Sequence, residues 1–311
     1  MSKIEMRAVY AEELKKLMQK DQNVVVIDAD LAKANGTWAL RNDFPDRAID
    51  VGVAEQNMMG IAAGLASYGF KPYINSFAPF STRRICDQIT LSGCYAKQNV
   101  KIIGSDPGIS AELNGGTHMG LEDIGVIRSI PDIVIFEPVD TIQFRKAMPV
   151  IYDYDGVVYI RMFRKIIEDV FTEDYEFDLF KADKIKDGKD VSIFASGIMV
   201  QESIRALEIL KNEGVDAELI NIHTIKPIDK DAILQSVAKT KCAVTCENHN
   251  IIGGLFSAVS EVLIQNAPTP VLPIGINDTF GEVGKMPYLK NLYKLNAQDI
   301  VNKCLEVIKL K

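Results

Sequence analysis

Length, composition and charge set the first limits on this 311-residue chain, of which 47% is apolar and 25% charged, with a net charge of −7. The acidic balance, without a basic stripe interleaved with aromatics, argues against nucleic acid as a partner. No apolar run is long enough to span a bilayer, so no membrane partner is expected. The composition is typical of a soluble globular protein with room for two domains.

The beginning of the chain and its cysteines predict a compartment. Residues 1–5 lack the apolar stretch of a signal peptide, which favours a cytoplasmic location. The five cysteines suit that compartment as free thiols.

Strand-like apolar runs alternate with helical patterns along the whole chain, which predicts an α/β protein with mostly parallel sheets. We place the first domain at residues 1–164. Its expected helices are 5–19, 54–68, 81–97 and 141–152, and its expected strands are 24–27, 48–51, 72–77, 100–104, 133–136 and 157–162.

The periodic pattern breaks down between residues 165 and 190, where charges and aromatics mix, as is typical of a linker crossing a surface. A second α/β unit is predicted at residues 191–311. Its expected strands are 191–195, 217–222, 243–246 and 272–276, and its expected helices are 199–212, 229–238, 254–265 and 297–308.

The first candidate functional residue is Glu55, in the first turn of the helix that follows strand 48–51. Open α/β sheets bind ligands at this end of a strand. Acidic residues also favour first helical turns because they complement the macrodipole, so spacing alone leaves a structural role open. The alternative is a carboxyl in a dry site that shares a proton with a ligand. Apolar residues on nearly every side of the helix predict burial, and Gly60 and Gly64 would let another backbone approach.

Two other strand ends of the first domain carry candidate residues. Phe77 and Phe80 are candidates for walls around a flat ring, although an aromatic pair in an ordinary core is equally compatible. His118 follows two glycines, a loop context in which a side chain can be aimed at a ligand. Parallel strands would bring these loops to one edge of the sheet.

Three motifs occur in order along the chain: Val51-Gly-Val-Ala-Glu-Gln-Asn-Met58, Phe77-Ala-Pro-Phe80 and Gly115-Gly-Thr-His-Met-Gly-Leu-Glu-Asp123. Together they resemble the C-terminal half of transketolase. The resemblance covers the whole chain, as the pyrimidine-binding domain of the thiamine diphosphate fold followed by the transketolase C-terminal domain.

The resemblance implies thiamine diphosphate as the cofactor, bound at a dimer interface. Glu55 would hydrogen-bond a ring nitrogen of the aminopyrimidine and favour the tautomer that deprotonates the thiazolium carbon. Phe77 and Phe80 would flank the aminopyrimidine. Leu31 would lie near the thiazolium, and Asp30 would help to hold the subunit contact.

The resemblance also implies substrate-binding residues for a sugar phosphate. His118 would face the sugar hydroxyls and act in catalysis. Arg7 and Arg161 match two arginines that grip the substrate phosphate, with Arg164 as an alternative to Arg161. Arginine suits this task because its planar fork meets phosphate or sulfonate bidentately. Asn114 occupies the position where an aspartate that reads a hydroxyl is common in the family.

The family's metal motif, Gly-Asp-Gly followed further along by Asn, does not occur in the sequence. The resemblance therefore implies one subunit of a split transketolase, with no metal ligands of its own. An N-terminal partner subunit would supply the diphosphate site and its Mg²⁺ or Ca²⁺ ion. Since two-fold symmetry is the default for such enzymes, we expect an α2β2 assembly in which the lone chain is inactive.

Departures from the family pattern bear on the substrate. Residues 104–107 read Gly-Ser-Asp-Pro where a histidine is usual, Asn114 replaces the aspartate, and Ala34 stands where the phosphate site usually has a serine. A lost cation and a changed hydroxyl-reading group favour the hypothesis of a branched or sulfonated sugar over the common pentose phosphates.

Three alternative functions stay open at this point. The beta subunit of a 2-oxo acid dehydrogenase shares the fold and the glutamate but normally lacks the Gly-Thr-His loop. A 1-deoxyxylulose-5-phosphate synthase has a similar loop but is usually a single long chain. A non-catalytic scaffold paralogue would have no need of Glu55, Phe77 and His118.

Overall fold

The structure is a computed structural model that describes residues 4–311. Residues 1–3 lie outside the described residues. They belong to the segment 1–5 that was predicted to lack a signal peptide and to the predicted first domain. The strands, in chain order, are β1 (Val24–Asp28), β2 (Ala48–Asp50), β3 (Lys71–Phe77), β4 (Lys101–Ser105), β5 (Val134–Phe136), β6 (Val158–Met162), β7 (Asp183–Lys186), β8 (Val191–Ala195), β9 (Ala217–Asn221), β10 (Thr224–Lys226), β11 (Ala243–Asn250) and β12 (Val271–Ile276).

Helices alternate with these strands. In chain order they are α1 (Met6–Lys20), α2 (Ala32–Asn35), α3 (Leu40–Asp43), α4 (Glu55–Ser67), α5 (Cys86–Gln88), α6 (Asp123–Ile127), α7 (Thr141–Asp153), α8 (Met199–Asn212), α9 (Lys230–Thr240), α10 (Leu255–Asn266), α11 (Met286–Leu292) and α12 (Ala297–Ile308). Short 3₁₀ turns cover Thr37–Ala39, Arg83–Ile85 and Gly108–Asn114, and Ile89–Tyr95 forms a π-helix. In the part of the chain that the structure describes, no helix is long and apolar enough to cross a membrane.

The strands form two sheets, ordered β10-β5-β6-β4-β3-β1-β2 and β12-β11-β8-β9-β7. Every pairing is parallel except β10 with β5 and β7 with β9. The predicted fold class, two α/β domains with mostly parallel sheets, is confirmed. Residues of β1 are buried alternately in two core clusters, Val24 and Val26 on one face and Val25 and Ile27 on the other. Burial on both faces explains why this strand is a continuous apolar run rather than an alternating one.

The segment predicted to be a linker contributes to the second domain. Residues 183–186 form β7, the edge strand beside β9, and Leu179 is buried in the core of the first domain. Edge strands often carry charged side chains. Three of the four residues of β7, Asp-Lys-Ile-Lys, are charged, so the sequence did not predict a strand here. The domains also interlock, since β10 from the second half of the chain pairs with β5 of the first sheet.

One predicted helix, at residues 81–97, is instead broken into three short pieces. A 3₁₀ turn, α5 and the π-helix follow one another here. Gly93 packs closely in this region, because a Cβ added to it would lie 3.0 Å from the Met59 methyl group. Arg83 and Arg84 are exposed on the 3₁₀ turn of this segment, close in sequence to Phe77-Ala-Pro-Phe80.

The register of the first sheet defines the edge at which a ligand would bind. Asp28 pairs with Asp50 and with Asn75, and further along the sheet Phe77 pairs with Ser105. Because these strands are parallel, the loops that follow them all emerge at their carboxyl ends, on one side of the domain.

Candidate active site

Glu55 is the first residue of α4 and is only 3% exposed. The turn that leads to it depends on Gly52, whose φ of +73° is a left-handed conformation that favours glycine. The Gly52 amide donates to Asp50 Oδ1 at 2.8 Å, which ties the turn back to the end of β2. The sequence therefore places a carboxyl group in a nearly dry position at the strand edge.

Arg84 is the charged partner of this carboxyl group. Its Nη1 donates to both Glu55 oxygens, at 3.0 and 3.2 Å, and its guanidinium carbon lies 4.3 Å from the centre of the Phe80 ring. The Arg84 side chain is 45% exposed, so this ion pair has one partner at the surface and one, Glu55, in the interior. Arg84 was not predicted as a site residue from the sequence, where the available signal is a pair of adjacent arginines shortly after Phe80.

Phe77, Phe80 and His118 form one aromatic cluster. The His118 ring centre lies 5.9 Å from that of Phe77 and 5.3 Å from that of Phe80, both nearly edge-on, and the two phenylalanine rings are 6.4 Å apart. Phe77 is buried, whereas Phe80 and His118 are half-buried. Residues from three separate motifs are thus brought together, with Arg84 linking the cluster to Glu55.

Two further arginines share one backbone acceptor near the aromatic cluster. Arg7 Nη1 and Arg164 Nη1 both donate to the Ala34 carbonyl oxygen, at 3.2 and 3.4 Å, and the Arg164 guanidinium carbon is 5.3 Å from the Phe77 ring centre. Arg164 Nε also donates to Asp106 Oδ2 at 2.5 Å. Burial raises the pKa of Asp106, and the positive charge of Arg164 opposes that rise. Two converging guanidinium groups of this kind suit an anionic substrate end.

Arg161 requires a correction, because its position does not fit the predicted contact with a substrate phosphate. The side chain is fully buried, with Nε 2.8 Å from Asp123 Oδ2 and Nη1 2.5 Å from Glu137 Oε1. It lies within β6, between the two domains, and two carboxylates already neutralise it. Arg164, beyond the end of that strand, lies near the aromatic cluster, and its contact with a substrate stays a prediction.

Asp30, Leu31 and Asn114 occupy loops at the same side of the domain. Asp30 is exposed, with a φ of +59°, and its amide donates to Asp50 Oδ1 at 3.1 Å. Leu31 is half-buried directly before α2, and Asn114 is exposed at the end of a 3₁₀ turn. The roles expected for these three residues stay predictions.

The residues present fit the aminopyrimidine half of thiamine diphosphate but not a metal-bound diphosphate. A buried carboxyl group beside two aromatic rings can bond the edge and cover the face of a flat heterocycle. Among residues 4–311, however, no group of three or more His, Cys, Asp or Glu side chains is placed to hold a metal ion.

The fold and this half-site define the pyrimidine-binding class of thiamine-dependent proteins, and comparison with known families agrees. Residues 2–168 match the family described as "Transketolase, pyrimidine binding domain", and residues 180–300 match "Transketolase, C-terminal domain". The chain belongs to the transketolase family. The resemblance inferred from the three sequence motifs is confirmed.

Individual relatives span nearly the whole chain. The 6-deoxy-6-sulfo-D-fructose transketolase subunit SqwH of Clostridium sp. (strain MSTE9) is 49% identical over 306 residues, covering 98% of this chain and 95% of that protein. A subunit of the apulose-4-phosphate transketolase of Phocaeicola vulgatus is 33% identical, and the match covers 97% of both chains. A solved structure described as a split gene transketolase, inactive beta4 tetramer, superposes over 100% of both chains at 37% identity, with a TM-score of 0.91.

Proposed function

We propose that this chain is the C-terminal subunit of a two-gene transketolase that moves a two-carbon ketol unit from a sulfonated ketose to an aldose acceptor. The observation that carries the proposal is the grouping of buried Glu55 with Arg84, Phe80, Phe77 and His118 at the strand edge. When bound, thiamine diphosphate supplies the nucleophilic carbon for this transfer.

Each side chain of the grouping has a defined task. Glu55 shares a proton with the ring nitrogen of the aminopyrimidine, in a position that bulk water barely reaches. Phe77 and Phe80 hold the ring by contact with its faces. Arg84 pairs with Glu55 in the free subunit and stacks on Phe80, so we expect it to move aside when the coenzyme ring enters.

The missing part of the site is assigned to an N-terminal partner subunit, which holds the diphosphate and a Mg²⁺ or Ca²⁺ ion. A docking face for that partner is available on α4. Its buried side contains Glu55, Met58 and Met59, whereas Gly60 and Gly64 are exposed and have no atom within 4 Å of an added Cβ. The helix is therefore buried on one face only, not on nearly every side as the sequence predicted. Two copies of each subunit would complete an α2β2 enzyme.

The substrate proposal is based on the two arginines and on the named relatives. Arg7 and Arg164 converge on the Ala34 carbonyl oxygen, and each also pairs with one carboxylate, Arg7 with Glu5 and Arg164 with Asp106. A bound substrate anion would share these two cations with the carboxylates. The 49% identical relative is named for 6-deoxy-6-sulfofructose, which supports a terminal sulfonate as the anion. His118 and Asn114 are assigned to the sugar hydroxyls.

Donor preference tests this proposal. The chain, its N-terminal partner, thiamine diphosphate and Mg²⁺ are mixed, and transfer to ribose 5-phosphate is measured from 6-deoxy-6-sulfofructose, fructose 6-phosphate and xylulose 5-phosphate. We expect the highest kcat/KM for the sulfonated donor. Equal or better efficiency with the common phosphates would reject the substrate assignment, and no transfer from any ketose would reject the function.

A branched donor is the second candidate, because the 33% identical relative is named for apulose 4-phosphate. The same assay with apulose 4-phosphate as donor distinguishes the branched from the sulfonated sugar. A clear preference for the branched donor would replace the sulfonated-sugar proposal but leave ketol transfer in place.

Replacing Arg164 by Gln is predicted to raise the KM for the anionic donor by about 10- to 100-fold, since one charge-assisted hydrogen bond is lost. The affinity for thiamine diphosphate should stay unchanged, because Arg164 bonds to Asp106 and to the Ala34 carbonyl rather than to Glu55. Steady-state kinetics of the mixed enzyme measure both. Arg145→Gln is the matched control, since Arg145 pairs with Glu12 and Glu13 on α1, and an equal KM rise there would contradict the assignment.

A further inference from the structure

The loop that carries His118 is held at both ends by one strand of the second domain. Asn248, in β11, accepts a hydrogen bond from the Ile109 amide at 2.9 Å and donates to the Pro107 carbonyl at 3.0 Å. Two residues further along β11, the Asn250 amide donates to the Leu121 carbonyl at 2.7 Å. The two ends of residues 107–121 also bond to each other, since the Gly108 amide donates to the Gly120 carbonyl at 3.1 Å, and β11 of the second domain adds the contacts that fix this closed loop in place.

The middle of the loop is packed against a second segment of the same domain. A Cβ added to Gly116 would lie 2.4 Å from the Gly281 carbonyl oxygen, and a Cβ added to Gly281 would lie 2.3 Å from Met119 Sδ. The Gly281 backbone leaves no room for a side chain on Gly116, whereas a side chain on Gly281 would displace the Met119 side chain. Gly116 and Met119 lie on either side of His118 in the sequence, so the segment around Gly281 limits where the histidine can be.

Backbone strain in the loop indicates that these contacts are required. Glu112 has φ 48° and ψ −115°, a combination that non-glycine residues rarely adopt. Such a conformation persists only where the surroundings enforce it. Here the Glu112 carboxylate accepts from the Met286 amide at 2.9 Å and pairs with Lys165, and Met286 again belongs to the second domain.

The strand that holds the loop is itself fixed on both sides of Asn248. Glu247 is fully buried and accepts from the amides of Leu255 and Phe256, at the beginning of α10, at 2.6 and 2.9 Å. His249 Nε2 accepts from the Gly125 amide at 3.3 Å, and burial lowers the pKa of His249 to about 4, so the ring is neutral. The sequence placed the end of this strand at residue 246, before the residues that make these contacts.

We propose that the second domain positions His118 for the sugar, through a loop clamp formed by Asn248, Asn250, Gly281 and Met286, with Asn248 as the main positioning residue. The inference rests on the proposed function, in which His118 contacts the substrate. It gives the second domain a part in sugar selection without a catalytic residue of its own. The amide at position 248 both donates and accepts, and an aspartate there could accept but not donate.

Two variants test the clamp in the mixed enzyme with partner, thiamine diphosphate and Mg²⁺. Asn248→Asp keeps the shape but loses the donor to Pro107, and Gly281→Ala places a methyl group against Met119. We expect both to lower kcat/KM for the ketose by about tenfold or more, since small misplacements of a positioned group have large effects on rate. Thiamine diphosphate affinity should be unchanged, and amide hydrogen exchange should speed up within residues 107–121. Asn302→Asp, at an exposed position of α12, is the matched control and should change none of these.

The outcomes separate the clamp from the proposed function. Wild-type kinetics and unchanged exchange in both folded variants would overturn the clamp. If Asn248→Asp does not fold, Gly281→Ala decides, because Gly281 lies in a partly exposed loop outside the core. If the wild-type enzyme transfers no ketol unit, the proposed function fails, and faster exchange confined to residues 107–121 would still support the clamp.

Discussion

Replacing Glu55 by Gln should lower kcat of the assembled enzyme by about 10³-fold, within the range for loss of a positioned proton-transfer group. Gln has nearly the same shape and can still bond a ring nitrogen, but it cannot take up or release a proton. The loss should therefore appear at saturating coenzyme and sugar. Steady-state kinetics and coenzyme titration of the same preparation measure the two effects separately.

The matched control for this variant is Glu261→Gln. Glu261 also pairs with an arginine, Arg128, but it lies on α10 of the second domain with 56% of its side chain exposed. We expect near wild-type activity from it. A Glu55→Gln enzyme within about tenfold of the wild-type rate would contradict the assigned role and favour the simpler interpretation of Glu55 as a helix-terminus acid.

Replacing Gly60 or Gly64 by Leu should separate folding from assembly. Neither position has an atom within 4 Å of an added Cβ, so the free chain can accept the larger side chain. Exchanging glycine for leucine in a helix should even stabilise the free subunit by about 0.8 kcal/mol. Contact with the partner should weaken by about 100-fold, or roughly 2.7 kcal/mol, because the leucine holds the two surfaces apart.

Sedimentation velocity of the mixed subunits and thermal unfolding of the lone chain measure these opposite changes. Gln265→Leu introduces the same side chain on the exposed face of α10 and should leave assembly intact. Unchanged assembly in both glycine variants would show that α4 does not dock the partner.

Many helices and strands of this fold could be predicted from the sequence, because each is marked by the pattern of its own residues. Apolar runs such as Val24–Asp28 and helical patterns such as Met199–Asn212 mark their own elements. Glu55, Phe77, Phe80 and His118 could be grouped in advance because parallel strands bring their loops to one edge. The structure places Phe77, Phe80 and His118 in one cluster and connects Glu55 to it through Arg84.

The rest depended on contacts between residues far apart in sequence. Arg161 and Arg164 cannot be distinguished by residue type. The structure distinguishes them because Arg161 pairs with the buried carboxylates of Asp123 and Glu137 and is therefore buried itself. The three residues of β10 are too few to show a strand pattern in the sequence. They form a strand by pairing with β5, which belongs to the other domain. Asn248 is likewise an ordinary polar residue in the sequence, and its part in holding the His118 loop appears only in three dimensions.

We propose that this chain provides half of a coenzyme site that a second polypeptide completes. Calorimetric titration of thiamine diphosphate, with Mg²⁺ present, into this chain, into the N-terminal partner and into their equimolar mixture distinguishes a half-site from a complete one. We expect tight binding and ketol transfer only in the mixture, with Glu55→Gln weakening that binding. Equally tight binding together with turnover by this chain alone would contradict the account.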